Sequence, residues 1–322
     1  MLDFHGRYHL KFLPDNGFRR ITKVTNGFGE ETIVGYSNLN DPSVHIRKND
    51  GPSKNWGNGH LVRDIKGAIP VVRTIKTGAD ALTYHYTGGK MQVGRGLLGY
   101  EKVQIESFAS GTRTTTTYRQ DGDYRGSVAE TLVEVQVGEY SPPTNPCDER
   151  PWLCQPPPCY DGRICEQPRM LQSYSTMSST PIWRLQSKST ASYLLKANTS
   201  FSTNSNKTQA RFVYPATITT WRYDTDKSIA EVLTTQTQSI TSIDSFAQPL
   251  IQVETVSDAY TIAKTTTTNT YSYNDTGLYG GRLTKAVVRK ERTNNVAGSN
   301  YTQPVVTLTN SFAYDGTGRL TS

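Results

Sequence analysis

The chain of 322 residues has little of the material that usually builds a helical core. Only 35% of its residues are hydrophobic, with 9 Phe and 4 Met. It lacks long segments with the 3.6-residue apolar period of an amphipathic helix. No stretch approaches the ~18 consecutive apolar residues that cross a membrane as a helix. The sequence therefore argues against helical bundles and against membrane insertion by this segment.

The chain also lacks the motifs of catalysis and cofactor binding. No P-loop, G-x-S-x-G elbow or H-E-x-x-H occurs, and the five histidines have no metal-ligand spacing. Gly94, Gly96 and Gly99 fit G-x-G-x-x-G, but strand-like sequence follows them where a dinucleotide site needs a helix. We predict no enzyme activity, no cofactor and no metal site.

Basic residues exceed acidic ones without forming a basic run. The net charge is +7 and the pI is near 9.1. The Lys and Arg residues are scattered, and RNA-binding aromatic motifs and zinc-finger spacings are missing. This distribution is typical of a solvated surface and predicts no nucleic-acid partner.

What the chain does contain is β-forming sequence. Tyr (19) outnumbers Phe (9), and Thr is frequent; both suit a pleated surface with solvent beside it. Leu82, Tyr84 and Tyr86 alternate onto one face of a predicted strand. Asn26 and Gly27 lie between predicted strands at 20–24 and 31–36, where Asn-Gly is expected to supply the positive φ of a tight turn. We predict an all-β fold of antiparallel hairpins.

One segment interrupts this pattern. Residues 141–168 hold half of the sixteen prolines and all four cysteines, which predicts an irregular insertion or linker between regions 1–140 and 169–322. The cysteine spacing lacks C-x-x-C knuckles, and an even number in a Pro-rich loop favours disulfides in an oxidising compartment. Three pairings are possible, and reduced thiols or a metal site are the alternatives. These cysteines are Cys147, Cys154, Cys159 and Cys165.

A Tyr-Asx signature recurs at 221–224, 271–274 and 312–315, with its tyrosines 50 and 41 residues apart. Such periods indicate stacked units that bury a core only together. The aromatic residue and the tyrosine should share one side of a strand, the Asx should start a turn, and a glycine should supply the left-handed residue. A returning strand follows with its Leu buried. The repeat residues are Tyr223, Asp224, Tyr273, Asn274, Gly281, Arg282, Leu283, Tyr314, Asp315, Gly318, Arg319 and Leu320.

The pattern aromatic-x-Tyr-Asp-x-x-Gly-Arg-Leu-Thr resembles the Rhs/YD repeat, and 312–321 follow it most closely. Residues 21–36, 95–103 and 114–121 resemble the middle region of insecticidal toxin-complex B components and of related plasmid-virulence-type toxins. The resemblance implies stacked antiparallel hairpins in a β-sheet that spirals into a hollow shell around a toxic cargo. This chain would form an incomplete, open portion of that shell.

The implied function is that of a secreted structural wall segment, non-catalytic by itself. The implied partners are the remainder of its own longer polypeptide or a shell partner, the enclosed toxin and, as in the B components, a membrane-translocating component. Because the chain ends within a returning strand at 319–322, we expect a piece of a longer polypeptide. Its first residues lack a signal-peptide pattern, so export is expected by another route or through an upstream segment.

A second class of function is also open. An extracellular adhesin or glycan-binding β-protein would stack sugars on exposed aromatic rings. The four tryptophans that would serve it are Trp56, Trp152, Trp183 and Trp221.

Overall fold

The structure, a computed structural model, describes residues 9–12, 20–48, 61–94, 96–140, 180–197, 211–244, 246–273, 281–294, 303–315 and 319–321. These residues lie mostly in β-strands, and their one helical element is a 3₁₀ turn at Gly122–Tyr124. In this part of the chain no helix has the length and apolarity to cross a membrane. The all-β prediction is confirmed.

Nineteen strands occur in the described ranges. They are β1 His9–Phe12, β2 Ile21–Thr25, β3 Glu31–Asn38, β4 His45–Ile46, β5 Val62–Asp64, β6 Pro70–Thr77, β7 Asp80–Thr87, β8 Lys90–Gln92, β9 Gly96–Gly99, β10 Lys102–Ser107, β11 Thr112–Tyr118, β12 Val128–Tyr140, β13 Thr180–Ala197, β14 Arg211–Tyr223, β15 Val232–Ile243, β16 Pro249–Ser257, β17 Thr261–Ser272, β18 Arg282–Asn294 and β19 Val306–Ser311.

Fifteen of these strands form one open antiparallel sheet. Its order is β1, β2, β3, β6, β7, β10 and then every strand from β11 to β19, so strands that follow one another in the chain are neighbours. β4 adds a short parallel pair to β7, and β5, β8 and β9 form a separate small sheet. The segment 141–168 and its cysteines lie outside the described residues, but β12 and β13 on either side of it pair along most of the length of β12. The strand at β9 also confirms that Gly96 and Gly99 do not open a dinucleotide-binding helix.

Because neighbouring strands are antiparallel, alternate strands end at the same edge of the sheet. We call the edge where β3, β7, β11, β13, β15, β17 and β19 end the upper rim. The strands β6, β10, β12, β14, β16 and β18 begin there. The small sheet and the connections around it lie at this rim, since they join the end of β3 to β6 and the end of β7 to β10.

The two faces of the sheet differ in charge. Paired residues of antiparallel strands share a face, and two unbroken rows of pairs cross the ten strands from β7 to β18. The row on what we call the tyrosine face is Tyr86, Val103, Thr116, Thr131, Ser189, Thr220, Gln236, Val256, Ala263 and Arg292. The row on the charged face is Thr87, Lys102, Thr117, Glu130, Thr190, Thr219, Thr237, Thr255, Lys264 and Glu291.

The hydrophobic core is small and lies at the upper rim. Leu39, Val44, Ile65 and Val71 are buried together there, whereas most side chains in the body of the sheet are half-buried. The body is held instead by its ladder hydrogen bonds and by cross-strand contacts of polar side chains. On the charged face, Arg113 bonds Glu134 at 2.7 Å and Lys188 bonds Glu130 at 2.8 Å. Such pairs stabilise a sheet modestly, by about 0.2–1 kcal/mol each.

The predicted hairpin of β2 and β3 is confirmed, but its predicted turn type is wrong. The positive φ falls at Gly29 (83°) and not at Gly27. The side-chain oxygen of Asn26 accepts from the amides of Phe28 and Glu30, each at 3.0 Å, and so closes a five-residue turn. A side chain that bonds its own turn makes this longer loop as well defined as a two-residue one.

The same hydrogen bonds recur between Asp244 and Gln248 and between Asp315 and Arg319. In each, the aspartate carboxylate accepts from the amide of the fifth residue at 2.8 Å, and the aspartate amide donates back to the fifth carbonyl. The fourth residue of the first copy, Ala247, has φ 64°, and it is the one non-glycine with positive φ in the described ranges. Gly318 holds the corresponding sequence position after Asp315 but lies outside these ranges.

We expect Ala247→Gly to stabilise the protein by about 0.5–1 kcal/mol. An L-residue in the left-handed region costs about 1–2 kcal/mol. Glycine removes this cost, but the extra backbone entropy that glycine loses on folding offsets about 0.5–1 kcal/mol of the gain. Gly29→Ala is the matched control, because the added Cβ would meet open space. The positive φ of residue 29 alone should then destabilise this variant by about 1 kcal/mol. Urea unfolding of both variants is the measurement, and shifts in the same direction would contradict this account of the turn.

Candidate functional site at the upper rim

Tyrosines line the upper rim on one face of the sheet. Of the seven strands from β3 to β19 that end there, six bring a tyrosine to the tyrosine face, by alternation along each strand. β15 brings the buried Ile243 instead. The six are Tyr36, Tyr86, Tyr118, Tyr193, Tyr271 and Tyr314, the last just beyond β19.

Five of these hydroxyls donate to a backbone carbonyl near the start of the preceding strand in the sheet. The pairs are Tyr36 to Ile21 at 2.9 Å, Tyr86 to Val72 at 2.8 Å, Tyr193 to Val128 at 2.9 Å, Tyr271 to Pro249 at 3.2 Å and Tyr314 to Leu283 at 2.9 Å. Each carbonyl lies beyond the last paired residues of those two strands. The phenol therefore satisfies an acceptor that the ladder leaves open, which phenylalanine could not do.

The rim tyrosines coincide with β-bulges. Opposite Tyr36, Tyr118, Tyr193 and Tyr271 the following strand carries one extra residue, and the same occurs opposite Ile243. A bulge increases the local twist and bends the strand. The complete unit, a tyrosine with a bulge in the next strand and a carbonyl in the strand before, occurs at Tyr36, Tyr193 and Tyr271.

The predicted repeat residue Tyr273 lies two residues beyond Tyr271, at the same rim. Its ring stacks on Phe246 with centroids 5.1 Å apart, and its hydroxyl bonds the Asp244 carboxylate. Burial, and then the hydrogen bond to Asp244, raises the pKa of the Tyr273 phenol. The phenol therefore stays a donor at neutral pH and ties the end of β17 to the turn after β15.

Gly281 packs beneath the Tyr273 ring. A Cβ on this glycine would lie 2.8 Å from the ring atoms Cδ1 and Cζ, which is closer than real Cβ contacts come. The φ of Gly281 is not positive, so the expectation that it supplies a left-handed residue is wrong. Glycine is needed here because an aromatic ring covers the backbone, and the Gln248 amide binds the Gly281 carbonyl at 2.8 Å beside it.

The segments 271–284 and 312–321 contact each other directly. The Arg282 guanidinium lies over the Tyr314 ring, 5.6 Å from its centroid, and Tyr314 donates to the Leu283 carbonyl. Asp315 begins its turn, after which Leu320 bridges back to Tyr314. Leu283 is half-buried, whereas Leu320 is 59% exposed, so the predicted burial of the leucine does not hold for Leu320. Asn274 lies outside the described residues.

Tyr223 and Asp224 lie elsewhere. They end β14, so they lie at the opposite edge of the sheet, and Tyr223 alternates onto the charged face. Asp224 starts a turn there, since its carboxylate accepts from the Asp226 amide at 2.9 Å. The structure thus brings together the Tyr273 and Tyr314 segments but not the Tyr223 segment.

A second cluster of rings covers the small core. The Tyr86 and Tyr100 rings are 4.7 Å apart, and Tyr100 covers Gly89 as Tyr273 covers Gly281. The buried His45 ring bonds the Leu39 carbonyl at 3.1 Å through Nδ1, and Nε2 accepts from the Gly89 amide at 3.4 Å. Both ring nitrogens of the histidine are thereby used in fixing the connections to the sheet.

We expect the folded protein to lose stability at high pH because of the raised pKa of Tyr86. Burial, and then the neighbouring Tyr100 and Tyr84 phenols, raises its pKa to about 12. Since a free phenol titrates near pH ~10, the stabilisation is complete below pH ~10 and is lost as the pH rises towards 12. We expect about 1 kcal/mol of this loss in urea unfolding, after allowance for partial exposure. Tyr86→Phe should remove that part of the pH dependence, and an unchanged profile would contradict the assignment.

On the tyrosine face the sheet also forms a shallow depression of about 300 Å³ over β14–β17. Ile218, Ile240, Gln252 and Glu254 contribute to its lining, and the Gln236 amide donates to the Glu254 carboxylate at 2.6 Å. The face is therefore concave there and mixed in polarity. Comparison with known proteins adds no family to this description, since the chain matches no family model and no curated protein.

Proposed function

We propose that this chain is a wall segment of an Rhs/YD-repeat-type shell that encloses a toxic polypeptide, and that it does no catalysis itself. The observation that carries the proposal is the repeating unit of the upper rim. Five of the six rim tyrosines bind their strand to the strand before it, so each of these contacts joins neighbouring strands only. A sheet of this kind lengthens by adding units, as repeat proteins do.

The direct contact of the two clearest Tyr-Asx segments supports the same proposal. Arg282 of one segment covers Tyr314 of the next, and a cation over an aromatic ring is attractive. Units that stack in this way cover surfaces that a single hairpin would expose.

The difference between the faces suggests which side would face the cargo. Over the same ten strands, the row on the tyrosine face has one charged residue, Arg292, whereas the row on the charged face has Lys102, Glu130, Lys264 and Glu291. Charged side chains favour bulk water. We assign the tyrosine face, which carries the shallow depression over β14–β17, to the interior of the shell and the charged face to solvent.

In this proposal the protein is secreted, and its partners are the rest of the shell, the enclosed toxin and a translocating component. Electron microscopy of particles that contain this chain, purified from the cells that produce it, should show a hollow particle. A polypeptide inside should resist protease until the shell is denatured. Solid particles, or substrate turnover by the chain itself, would contradict the proposal.

The glycan-binding alternative has less support. The Arg113 guanidinium covers the Trp183 ring, 4.5 Å from its centroid, so this ring is not an open platform for a sugar. Trp221 is half-buried between Lys188 and Thr235, its paired residues on the charged face. Trp56 and Trp152 lie outside the described residues. A glycan array should give no specific binding, and specific hits would favour the alternative over a wall segment.

A further inference from the structure

The turn between β2 and β3 contains an Asn-Gly pair, Asn26 and Gly27. Gly27 is exposed, and its backbone amide donates no hydrogen bond within the part of the chain that the structure describes. Glycine has no Cβ that would shield its nitrogen from the preceding side chain. The Gly27 nitrogen is therefore open to reaction with the side-chain carbonyl carbon of Asn26.

The turn holds the Asn26 side chain in a reactive arrangement. Its oxygen Oδ1 accepts from the amides of Phe28 and Glu30, each at 3.0 Å. The bond to Phe28, two residues along the chain, folds the side chain back over the Gly27 peptide group. Two N–H donors on Oδ1 draw electron density from Cγ, and they would stabilise the negative charge that this oxygen gains when Cγ is attacked.

A carboxylate lies beside the nitrogen that would leave. Asn26 Nδ2 donates to Glu30 Oε2 at 3.1 Å. A carboxylate at hydrogen-bond distance can take up a proton and pass it to a leaving nitrogen, as general acid–base groups do. The nucleophile, the electrophilic carbon and a proton carrier thus lie within one five-residue turn.

We propose that Asn26 is a self-modification site, which converts to aspartate and isoaspartate without an enzyme. The Gly27 nitrogen bonds to Cγ and loses its proton, the bond between Cγ and Nδ2 breaks, and ammonia leaves with that proton. The chain then holds a five-membered succinimide. Water opens this ring at either of its two carbonyls, so the side-chain amide is replaced by a carboxylate. Solvent water is the one co-reactant.

The conversion should weaken the turn, and the other segments with the same hydrogen bonds indicate why. Those segments begin with aspartate, at 244 and 315, and their fifth residues are a glutamine and an arginine. In the turn at 26–30 the fifth residue is an acid, and there the first residue is an amide. Aspartate at position 26 would set a second carboxylate against Glu30, where like charges repel. Isoaspartate would lengthen the backbone of the turn by one carbon.

The first test follows Asn26 in the folded full chain and in the chain unfolded by urea, at the same neutral pH and temperature. Peptide mapping by mass spectrometry measures the succinimide and both products. Asn26 should convert at least about fivefold faster in the folded chain, because the turn lowers the barrier. The Asn-Gly pairs at 16–17 and 58–59, which lie outside the described residues, are measured in the same maps and should match Asn26 in the unfolded chain.

Two variants test the groups that take part. The φ of Gly27 is not positive, so its backbone conformation suits alanine. Gly27→Ala should slow the conversion at least about tenfold, because its Cβ shields the nitrogen. Glu30→Gln keeps the backbone amide that bonds Asn26 but removes the proton carrier, so it should slow the conversion in the folded chain alone.

A third variant tests the consequence for the turn. Asn26→Asp should unfold at a lower urea concentration than wild type. Adding Glu30→Gln to this variant should restore the midpoint, since one of the two facing carboxylates is then removed.

The inference is overturned if Asn26 converts no faster in the folded chain than in the unfolded one. It is equally overturned if Gly27→Ala or Glu30→Gln converts as fast as wild type, or if Asn26→Asp unfolds at the wild-type urea concentration. None of these results bears on the shell proposal, which depends on the tyrosines at the opposite edge of the sheet.

Discussion

Gly281→Val is expected to destabilise the protein by about 2 kcal/mol. The valine side chain would occupy the space that the Tyr273 ring fills, so the ring must swing away. It would then lose its stack on Phe246, about 0.5–1.5 kcal/mol, and its hydrogen bond to Asp244, about 1 kcal/mol. Urea unfolding followed by circular dichroism measures the loss.

Two controls separate the ring contact from a general cost of replacing glycine. Gly138 lies in β12 without a positive φ, and a Cβ there would meet nothing within 4 Å. Gly138→Val should therefore be neutral or slightly stabilising, because valine suits a strand better than glycine. In the second control, Tyr273→Ala should make Gly281→Val nearly harmless, since the clash needs the ring. Equal losses at the two glycines would refute the role given to Tyr273.

Much of the fold follows from local sequence. Alternating β-branched and aromatic residues correctly predicted the hairpin of β2 and β3 and the strand β7, and so the all-β class. Turn type was harder to predict. In the turn at 26–30, an Asn side chain selects a five-residue loop over the two-residue turn that Asn-Gly favours. Dipeptide preferences do not include that side-chain bond.

The rim was not predictable in the same way. Its tyrosines lie 50, 32, 75, 78 and 43 residues apart, because the strands and connections between them differ in length. A search for self-similar segments finds Tyr273 and Tyr314 by their common Asx-and-glycine context. It misses Tyr36 and Tyr193, whose only shared signal is a small residue before the tyrosine at the end of a strand.

The predicted Tyr-Asx repeat and the observed carbonyl contact use different tyrosines in the two segments. Tyr314 corresponds in role to Tyr271, since both donate to a carbonyl of the preceding strand. Tyr273 instead covers Gly281 and binds Asp244. The Tyr-Asx motif therefore marks the turn after a strand, whereas the repeating contact belongs to whichever tyrosine reaches the open carbonyl.

Replacing Tyr36, Tyr193 and Tyr271 together with phenylalanine is expected to cost about 2–3 kcal/mol. Each change keeps the ring and removes one hydrogen bond to a carbonyl, at about 1 kcal/mol. The cost is smallest at Tyr271, because the Pro249 carbonyl keeps a second bond of 3.0 Å from the Asn269 side-chain amide. The nearest two sites are four strands apart, about 19 Å, so the losses should add. Urea unfolding of the single and triple variants tests both the size and the additivity.

Tyr118→Phe is the matched control for this set. Tyr118 has the same face, the same rim and the same opposing bulge, but its hydroxyl meets no acceptor among the residues that the structure describes. Its removal should change the free energy of unfolding by less than about 0.5 kcal/mol. If Tyr118→Phe costs as much as Tyr271→Phe, the carbonyl contact is not what the rim tyrosines contribute. If Tyr36→Phe, Tyr193→Phe and Tyr271→Phe are all neutral, the backbone hydrogen bonds alone hold the strands together. The rim tyrosines would then give no support to the proposal that this sheet extends into a wall.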